Sequence, residues 1–304
     1  MTASPGTIRP PRRLDDVPGW FPVLDQTLFE WLLDRQESTG TSGDLLEVGV
    51  YMGKSAIFLG RHLREGEQYT VCDLFEGDAP DDANRAESAY SYSILTRQAF
   101  EKNYLAFHDE LPRVLQGPSS LVPDEVKPRS CRFVHIDASH LYEHVHDDIS
   151  AAREALLPGG VVVLDDFRSE HTPGVSVAAW EAVLNRGLRP ICLSTQKLYG
   201  TWDDPEPIQE ELLAMARSRR QDCHLSVQQA AGHRIVRLKS KKGMQPPALV
   251  TSKHADDAPP APTAPHTPPA PTPARRRSRT RRLAADLLPP VVTRAVRNAR
   301  RARR

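Results

Sequence analysis

The 304-residue sequence predicts an α/β domain built on a doubly wound, mostly parallel sheet. Three observations carry that expectation. Short runs rich in Val, Ile, Leu and Phe are apolar on both faces, as strands sandwiched between helix layers are. Segments with helical apolar spacing separate them. At the carboxyl ends of the runs, where such sheets bind ligands, glycines and acids replace the apolar residues.

Taken in order, a lead-in helix is expected over about Phe21–Gln36, with Leu24, Leu28, Trp31 and Leu32 on one face. Asp44–Val50 reads as a buried strand, followed by a helix through Lys54–Leu63. Tyr69–Phe75 is a second strand, a helix lies near Tyr92–Phe107, and Arg113–Gly117 is a short third strand. Arg132–Ala138 is the fourth. Next comes a helix with Val145, Ile149, Ala152 and Leu156 on one face, ended by Pro158-Gly159-Gly160. Val161–Asp166 is the fifth strand. Leu188–Ser194 and His233–Lys239 read as further strands, with a helix around Val177–Asn185 before them.

Composition sets the boundaries. Ten prolines between Pro246 and Pro273, mixed with Ala, Thr and His, describe an extended linker that buries no apolar surface. From Arg275 to Arg304 twelve arginines face the single acid Asp286, so the net charge of +1 divides into an acidic body and a basic tail. The expected organisation is a flexible N-terminus over 1–16, a folded domain over 17–242, a Pro-rich linker over 243–274 and a disordered Arg-rich tail over 275–304. MTASPGTIRPPRR has no apolar stretch behind it and is not a secretory signal. No window approaches the roughly 18 apolar residues of a membrane-spanning helix. Cys72, Cys131, Cys192 and Cys223 have no metal-knuckle spacing and read as core thiols of a reducing compartment, the cytoplasm.

The strand ends carry the chemistry. The first ends Glu47-Val48-Gly49-Val50-Tyr51-Met52-Gly53-Lys54-Ser55. Gly49 permits a tight turn near a ligand, and Gly53 permits close packing where a helix starts. Asp73 ends the second strand, where a carboxylate can accept hydrogen bonds from both ribose hydroxyls of a nucleoside. Tyr51 stands where a dinucleotide fingerprint has its second glycine, the one that makes room for a pyrophosphate. A nucleoside without a diphosphate is therefore expected, and S-adenosyl-L-methionine is the common one. Asp137 ends the fourth strand, and Asp165 and Asp166 end the fifth. Three carboxylates on neighbouring strands repel unless a cation lies among them, and oxygen ligands suit Mg²⁺. His140, three residues past Asp137, has a pKa suited to taking a proton from a hydroxyl. A rival reading makes His140, His144 and Asp148 zinc ligands on one helix face. His135, mid-strand, reads as a core histidine.

These motifs together resemble the class I S-adenosylmethionine-dependent methyltransferases, which have a Rossmann-like fold. DLFEGDAP (73–80) and HIDASHLYEHVHDDI (135–149) look like the metal-dependent branch that includes macrocin-type sugar O-methyltransferases, with catechol O-methyltransferases more distant. The resemblance covers roughly residues 40–240. It implies that Glu47, Gly49 and Gly53, with Ser55 in the same turn, cradle the methionine end of the cofactor. Asp73 would hold its ribose, and Ser119 or Ser120 would lie near its adenine. Asp137, Asp165 and Asp166 map to the metal ligands, Asp137 also bordering the cofactor, and His140 maps to the base. The stretch Asp78–Tyr90 departs from the macrocin-type pattern, and residues past Gly243 lie outside the resemblance.

The implied function is methyl transfer to a hydroxyl of a small molecule, a sugar or a diol. Two other classes compete with it. One is an NAD-dependent oxidoreductase on the same kind of fold, against which the missing second glycine counts. The other is a binding protein acting through its tail, where two arginine runs flank LAADLLPPVV, a short apolar patch suited to an anionic membrane surface or another protein. Nucleic acid is open by charge alone, and a disordered solubilising or self-docking tail is the plain alternative.

Overall fold

The computed structural model describes residues 10–79, 82, 85, 95–248 and 251–256. The Arg-rich tail, most of the Pro-rich linker, residues 1–9 and the start of the helix expected near Tyr92 lie outside the described residues.

One nine-stranded sheet organises the chain, in the order β3-β2-β1-β4-β5-β7-β6-β9-β8. The strands are β1 (Asp44–Val48), β2 (Tyr69–Asp73), β3 (Arg113–Gln116), β4 (Cys131–Ile136), β5 (Leu156–Leu164), β6 (Arg189–Leu193), β7 (Leu198–Thr201), β8 (Cys223–Ala230) and β9 (His233–Ser240). Strands β1 to β5 pair in parallel, as expected from their two-faced apolar character. The chain steps outward from β1 through β2 to β3, then returns to β4 on the other side. That reversal opens a crevice at the carboxyl ends of β1 and β4.

Side-chain parity assigns each strand residue to a helix layer. Phe133, Val161 and Val163 face the layer of α1 (Val23–Ser38), α2 (Lys54–Gly60) and α3 (Arg97–Leu105), packing with Leu28, Phe29, Phe58 and Phe100. The alternate residues Val134, Ile136, Val162 and Leu164 face α5 (Tyr142–Ala155) and α6 (Pro173–Asn185), where Val145, Ile149, Ala152, Ala178 and Ala182 meet them. A short α4 (Val122–Glu125) follows β3, and α7 (Glu206–Ser218) leads to β8.

Besides the short α4, three elements were not expected. Strand β7 runs antiparallel between β5 and β6. Strand β8 forms an antiparallel hairpin with β9 at the sheet edge, and α7 precedes it. In addition, α5 ends at Ala155 and β5 starts at Leu156, so Pro158-Gly159-Gly160 lies within the strand rather than ending the helix.

The boundaries also move. Described residues past the expected end at 242 belong to the same compact unit. Met244 packs on the core, and Ser252, buried, donates to the Pro11 carbonyl at 2.6 Å. The Lys253 amide donates to the Ala106 carbonyl at 2.8 Å, and Arg12 donates to the Ala255 carbonyl at 2.9 Å. The same contacts fix the N-terminal side from residue 10 onward. There a 3₁₀ turn at Leu14–Asp16 buries Leu14, and Val17 beside it is buried too.

Candidate active site

The carboxyl ends of β1, β2, β4 and β5 form one edge. Gly49 (φ +83°) passes so close to β4 that a Cβ would stand 2.1 Å from the Asp137 carbonyl oxygen. Only a glycine lets the two turns meet there. Gly53 (φ +91°) precedes α2, and a Cβ on it would be 3.0 Å from the Phe100 ring. Ser55 lies half-buried in the first turn of α2.

Asp73 knits this edge together. Its Oδ2 accepts from the Val50 amide (2.7 Å) and the Tyr51 amide (3.0 Å), and its Oδ1 accepts from the Phe75 amide (2.7 Å). Three of the four lone-pair positions expected to serve a ribose are thus taken by the turn itself, leaving one on Oδ1. Burial pushes the Asp73 pKa above the usual carboxylate range, against the pull of those three amides. Tyr51 (φ 47°), Phe75 (φ 51°) and Asp166 (φ 51°) all adopt the left-handed region without being glycine. Strain of this kind gathers at sites where the surrounding structure enforces a geometry.

The expected base and two of the expected metal ligands come together. His140 Nε2 is 3.1 Å from Asp166 Oδ2, and Ser169 Oγ donates to Asp166 Oδ1 at 2.5 Å. Burial works to raise the Asp166 pKa, but the bonds from His140 and Ser169 prevail and hold it below the ordinary value. Asp137, raised mainly by burial and pulled back by the Lys197 ammonium, stands beside them. Asp137, His140 and Asp166 present donor atoms within 4.8 Å of one another. Gly174, at the start of α6, lets that helix press on the His140 loop, since a Cβ would lie 2.4 Å from the His140 carbonyl oxygen.

Asp165 turns elsewhere. Its Oδ2 accepts from Lys197 Nζ, and its Oδ1 accepts from the Asp166 amide at 2.7 Å. A second group of potential donors, His135, Asp137 and Asp165, also lies within 4.8 Å, but His135 and Asp165 flank that lysine. Glu47 is wholly buried as well. Its oxygens accept from the Tyr69 hydroxyl (2.5 Å) and face His135 Nδ1 (2.8 Å), so its side chain lies within the helix-packed face of the sheet rather than in the crevice. His135 is the expected core histidine, directly opposite Glu47 in the β1–β4 register.

Ser119 opens a 3₁₀ turn after β3 and hydrogen-bonds Asp148 on α5. Burial lifts the Asp148 pKa to about 6, and its Oδ2 has no partner. Ser120, beside it, is exposed. The zinc set of His140, His144 and Asp148 does not assemble. His144 Nδ1 is 3.0 Å from Ser139 Oγ, and neither His144 nor Asp148 joins a donor group among the described residues. All four cysteines are buried free thiols.

The functional residue that sequence reasoning missed is Lys197. A buried lysine is rare unless paired, so a lysine in a turn-like stretch, LSTQK, reads as exposed. The readable signal was Glu47 and His135, polar residues at matched depth in two otherwise apolar strands.

Residues 46–167 match a family model described as a methyltransferase domain. No curated protein matches the chain. Among solved structures it is similar to the O-methyltransferase NovP, at 20% identity and a TM-score of 0.47, over 58% of this chain and 79% of that one. It is similar to the calicheamicin methyltransferase CalS11 at 19% identity and a TM-score of 0.44, over 60% and 79%. It is also similar to the O-methyltransferase TomG from Streptomyces achromogenes, involved in tomaymycin synthesis, at 18% and 0.37, over 57% and 73%. These likenesses are too slight to pass an acceptor or a metal to this chain.

Proposed function

We propose that the chain, whose residues 46–167 match a family model described as a methyltransferase domain, transfers a methyl group from S-adenosyl-L-methionine to a hydroxyl oxygen of a small molecule. His140 is the base, and Asp166 holds it. The observation that carries this reading is the 3.1 Å contact between His140 Nε2 and Asp166 Oδ2 at the strand-end edge.

Methyl transfer from a sulfonium is an in-line displacement from a good leaving group. The protein must align the acceptor oxygen and relieve it of its proton, and alignment alone supplies several kcal/mol. When Nε2–H donates to Asp166, Nδ1 becomes the basic nitrogen of the imidazole. As that nitrogen takes the hydroxyl proton, the ionised Asp166 stabilises the imidazolium. Ser169 keeps the carboxylate in place. The turn from Gly49 to Gly53, Ser55, the remaining lone pair of Asp73, and Ser119 line the cofactor side.

The donor chemistry fits a divalent ion, Mg²⁺ in this reading, held by Asp137 and Asp166. Such an ion would supply positive charge to lower the pKa of an acceptor hydroxyl and would suit an acceptor with two neighbouring oxygens. Sugar hydroxyls and aromatic diols both offer that pair. An NAD-dependent oxidoreductase finds no support in the family match.

Calorimetric titration of S-adenosyl-L-methionine and of NAD, with and without Mg²⁺, tests the reading. Micromolar binding of the first and none of the second is expected. No binding of S-adenosyl-L-methionine under either condition overturns it, and undiminished transfer in EDTA removes the metal.

No helix of the described residues is long and apolar enough to cross a membrane. Contact of residues 275–304 with an anionic membrane surface from the cytoplasmic side rests on their charge. Salt-sensitive pelleting with anionic liposomes by the full chain, and not by residues 1–257, tests that contact.

A further inference from the structure

We propose that Lys197 is a built-in cation that withdraws Asp165 from the strand-end carboxylates, so that a divalent metal is held by Asp137 and Asp166 beside His140. This rests on the metal part of the function proposed above and narrows its ligand set.

The lysine immediately precedes β7 and is 1% exposed. Its backbone is pinned in the β6–β7 turn: its amide donates to Ser194 Oγ at 3.0 Å, and its carbonyl accepts from the Ser194 amide at 3.0 Å. Its Nζ donates to Asp165 Oδ2 and is 3.3 Å from His135 Nε2. The rings of Phe21 and Phe29 each lie 6.0 Å from Nζ and close the apolar side.

Each partner is in turn engaged. With His135 Nδ1–H donating to Glu47, Nε2 becomes the acceptor that faces Lys197. The second Glu47 oxygen accepts from Tyr69. A polar line therefore crosses β2, β1, β4 and the start of β7 to reach β5, ending on Asp165. The other Asp165 oxygen accepts from the Asp166 amide, so both are occupied.

A metal ion that bound Asp165 would have to displace an ammonium with no water to move into, leaving a buried charge uncompensated. Asp166 is bonded by His140 and Ser169 rather than by a buried lysine. Asp137, though drawn by the same ammonium, has a donor atom gathered with those of Asp166 and His140. The line also acts on Asp166 itself. Asp165 grips the amide of that residue, whose backbone sits in the left-handed region (φ 51°).

The test is Mn²⁺ binding to the full-length protein, read from the free-Mn²⁺ signal in electron paramagnetic resonance, without acceptor. Asp137→Asn and Asp166→Asn should each weaken binding about tenfold or more. Lys197→Met should tighten it about tenfold, because a carboxylate is released and a nearby positive charge is gone. Since that variant leaves Asp165 buried and alone, the deciding protein is Lys197→Met/Asp165→Asn, which removes both charges. It should bind Mn²⁺ at least as tightly as the parent. Weakening of the double variant to the level of Asp137→Asn, with an unchanged melting profile, makes Asp165 a ligand and overturns the role of Lys197 alone. A parent protein that binds S-adenosyl-L-methionine but no Mn²⁺ overturns the metal reading and this assignment together, leaving methyl transfer standing.

Discussion

Two sets of polar residues occupy neighbouring places in this sheet and are treated in opposite ways. Beneath the strand ends, Tyr69, Glu47, His135, Lys197 and Asp165 are linked partner to partner and sealed by Phe21 and Phe29. At the edge itself, Asp137 and His140 line a small cleft that Asp165 also borders, and their donor atoms converge with that of Asp166. Asp165 and Asp166 are adjacent in sequence and end the same strand, yet one belongs to each set. The closed set satisfies its charges with protein groups, so it contributes a fixed scaffold. The open set gathers donor atoms of three residues at the strand-end edge, and function is to be sought there.

The sharpest way to break this division is to remove a member of the open set. His140→Ala should lower kcat by about 10²- to 10⁴-fold. The KM for S-adenosyl-L-methionine and the melting temperature should stay near the parent values. Steady-state methyl-transfer kinetics with a hydroxylated acceptor decide it. A near-normal rate across pH ends the base assignment.

The converse applies to the closed set. Glu47→Leu should cost about 2–5 kcal/mol of stability, because Tyr69 and His135 lose a buried partner together. Chemical denaturation monitored by circular dichroism gives the value. A loss of cofactor affinity without a loss of stability would instead put Glu47 back in the cradle that the resemblance implied.

Asp148 lies between the two cases, buried but with one oxygen left without a partner. Its pKa of about 6, raised by burial from 3.8, means that the folded state holds the proton more tightly than the unfolded state. Stability is therefore lost as pH rises from near 4 to near 6, and above that the loss is constant. Asp148→Asn should be neutral below pH 4 and stabilising by up to about 3 kcal/mol above pH 6. Melting temperatures measured from pH 3.5 to 8 sharpen the comparison. A pH-independent difference would mean that the carboxylate is paired after all.

How much of this was readable follows from where each signal lies. The parallel strands were legible because runs such as Val161–Leu164 are apolar on both faces. Strand β7 is four residues long and starts directly after Lys197, and β8 exposes most of its side chains at the sheet edge, so neither carries that pattern. The edge residues Gly49, Asp73, Asp137, His140 and Asp166 stood out because glycines and acids interrupt apolar runs at the position where open sheets bind ligands. Local sequence could not show that Asp73 turns back on its own loop, or that a lysine 32 positions along the chain claims Asp165. Both are decided by tertiary contacts.

The smallest effect concerns the segment past Gly243, whose composition suggested that it leaves the body. Its described residues extend the closed part of the molecule through main-chain contacts, which leave no trace in a hydrophobic pattern. Ser252 is the side chain among them that is both buried and bonded, donating to the Pro11 carbonyl at 2.6 Å. Ser252→Ala removes the donor and leaves that carbonyl without it, so a loss of about 1 kcal/mol is expected. Catalysis should not change, since neither residue stands at the strand-end edge. Thermal melts paired with hydrogen exchange at the Lys253 and Ala255 amides would detect it. Faster exchange at those amides with little change in global stability would identify the docked segment as a locally opening unit.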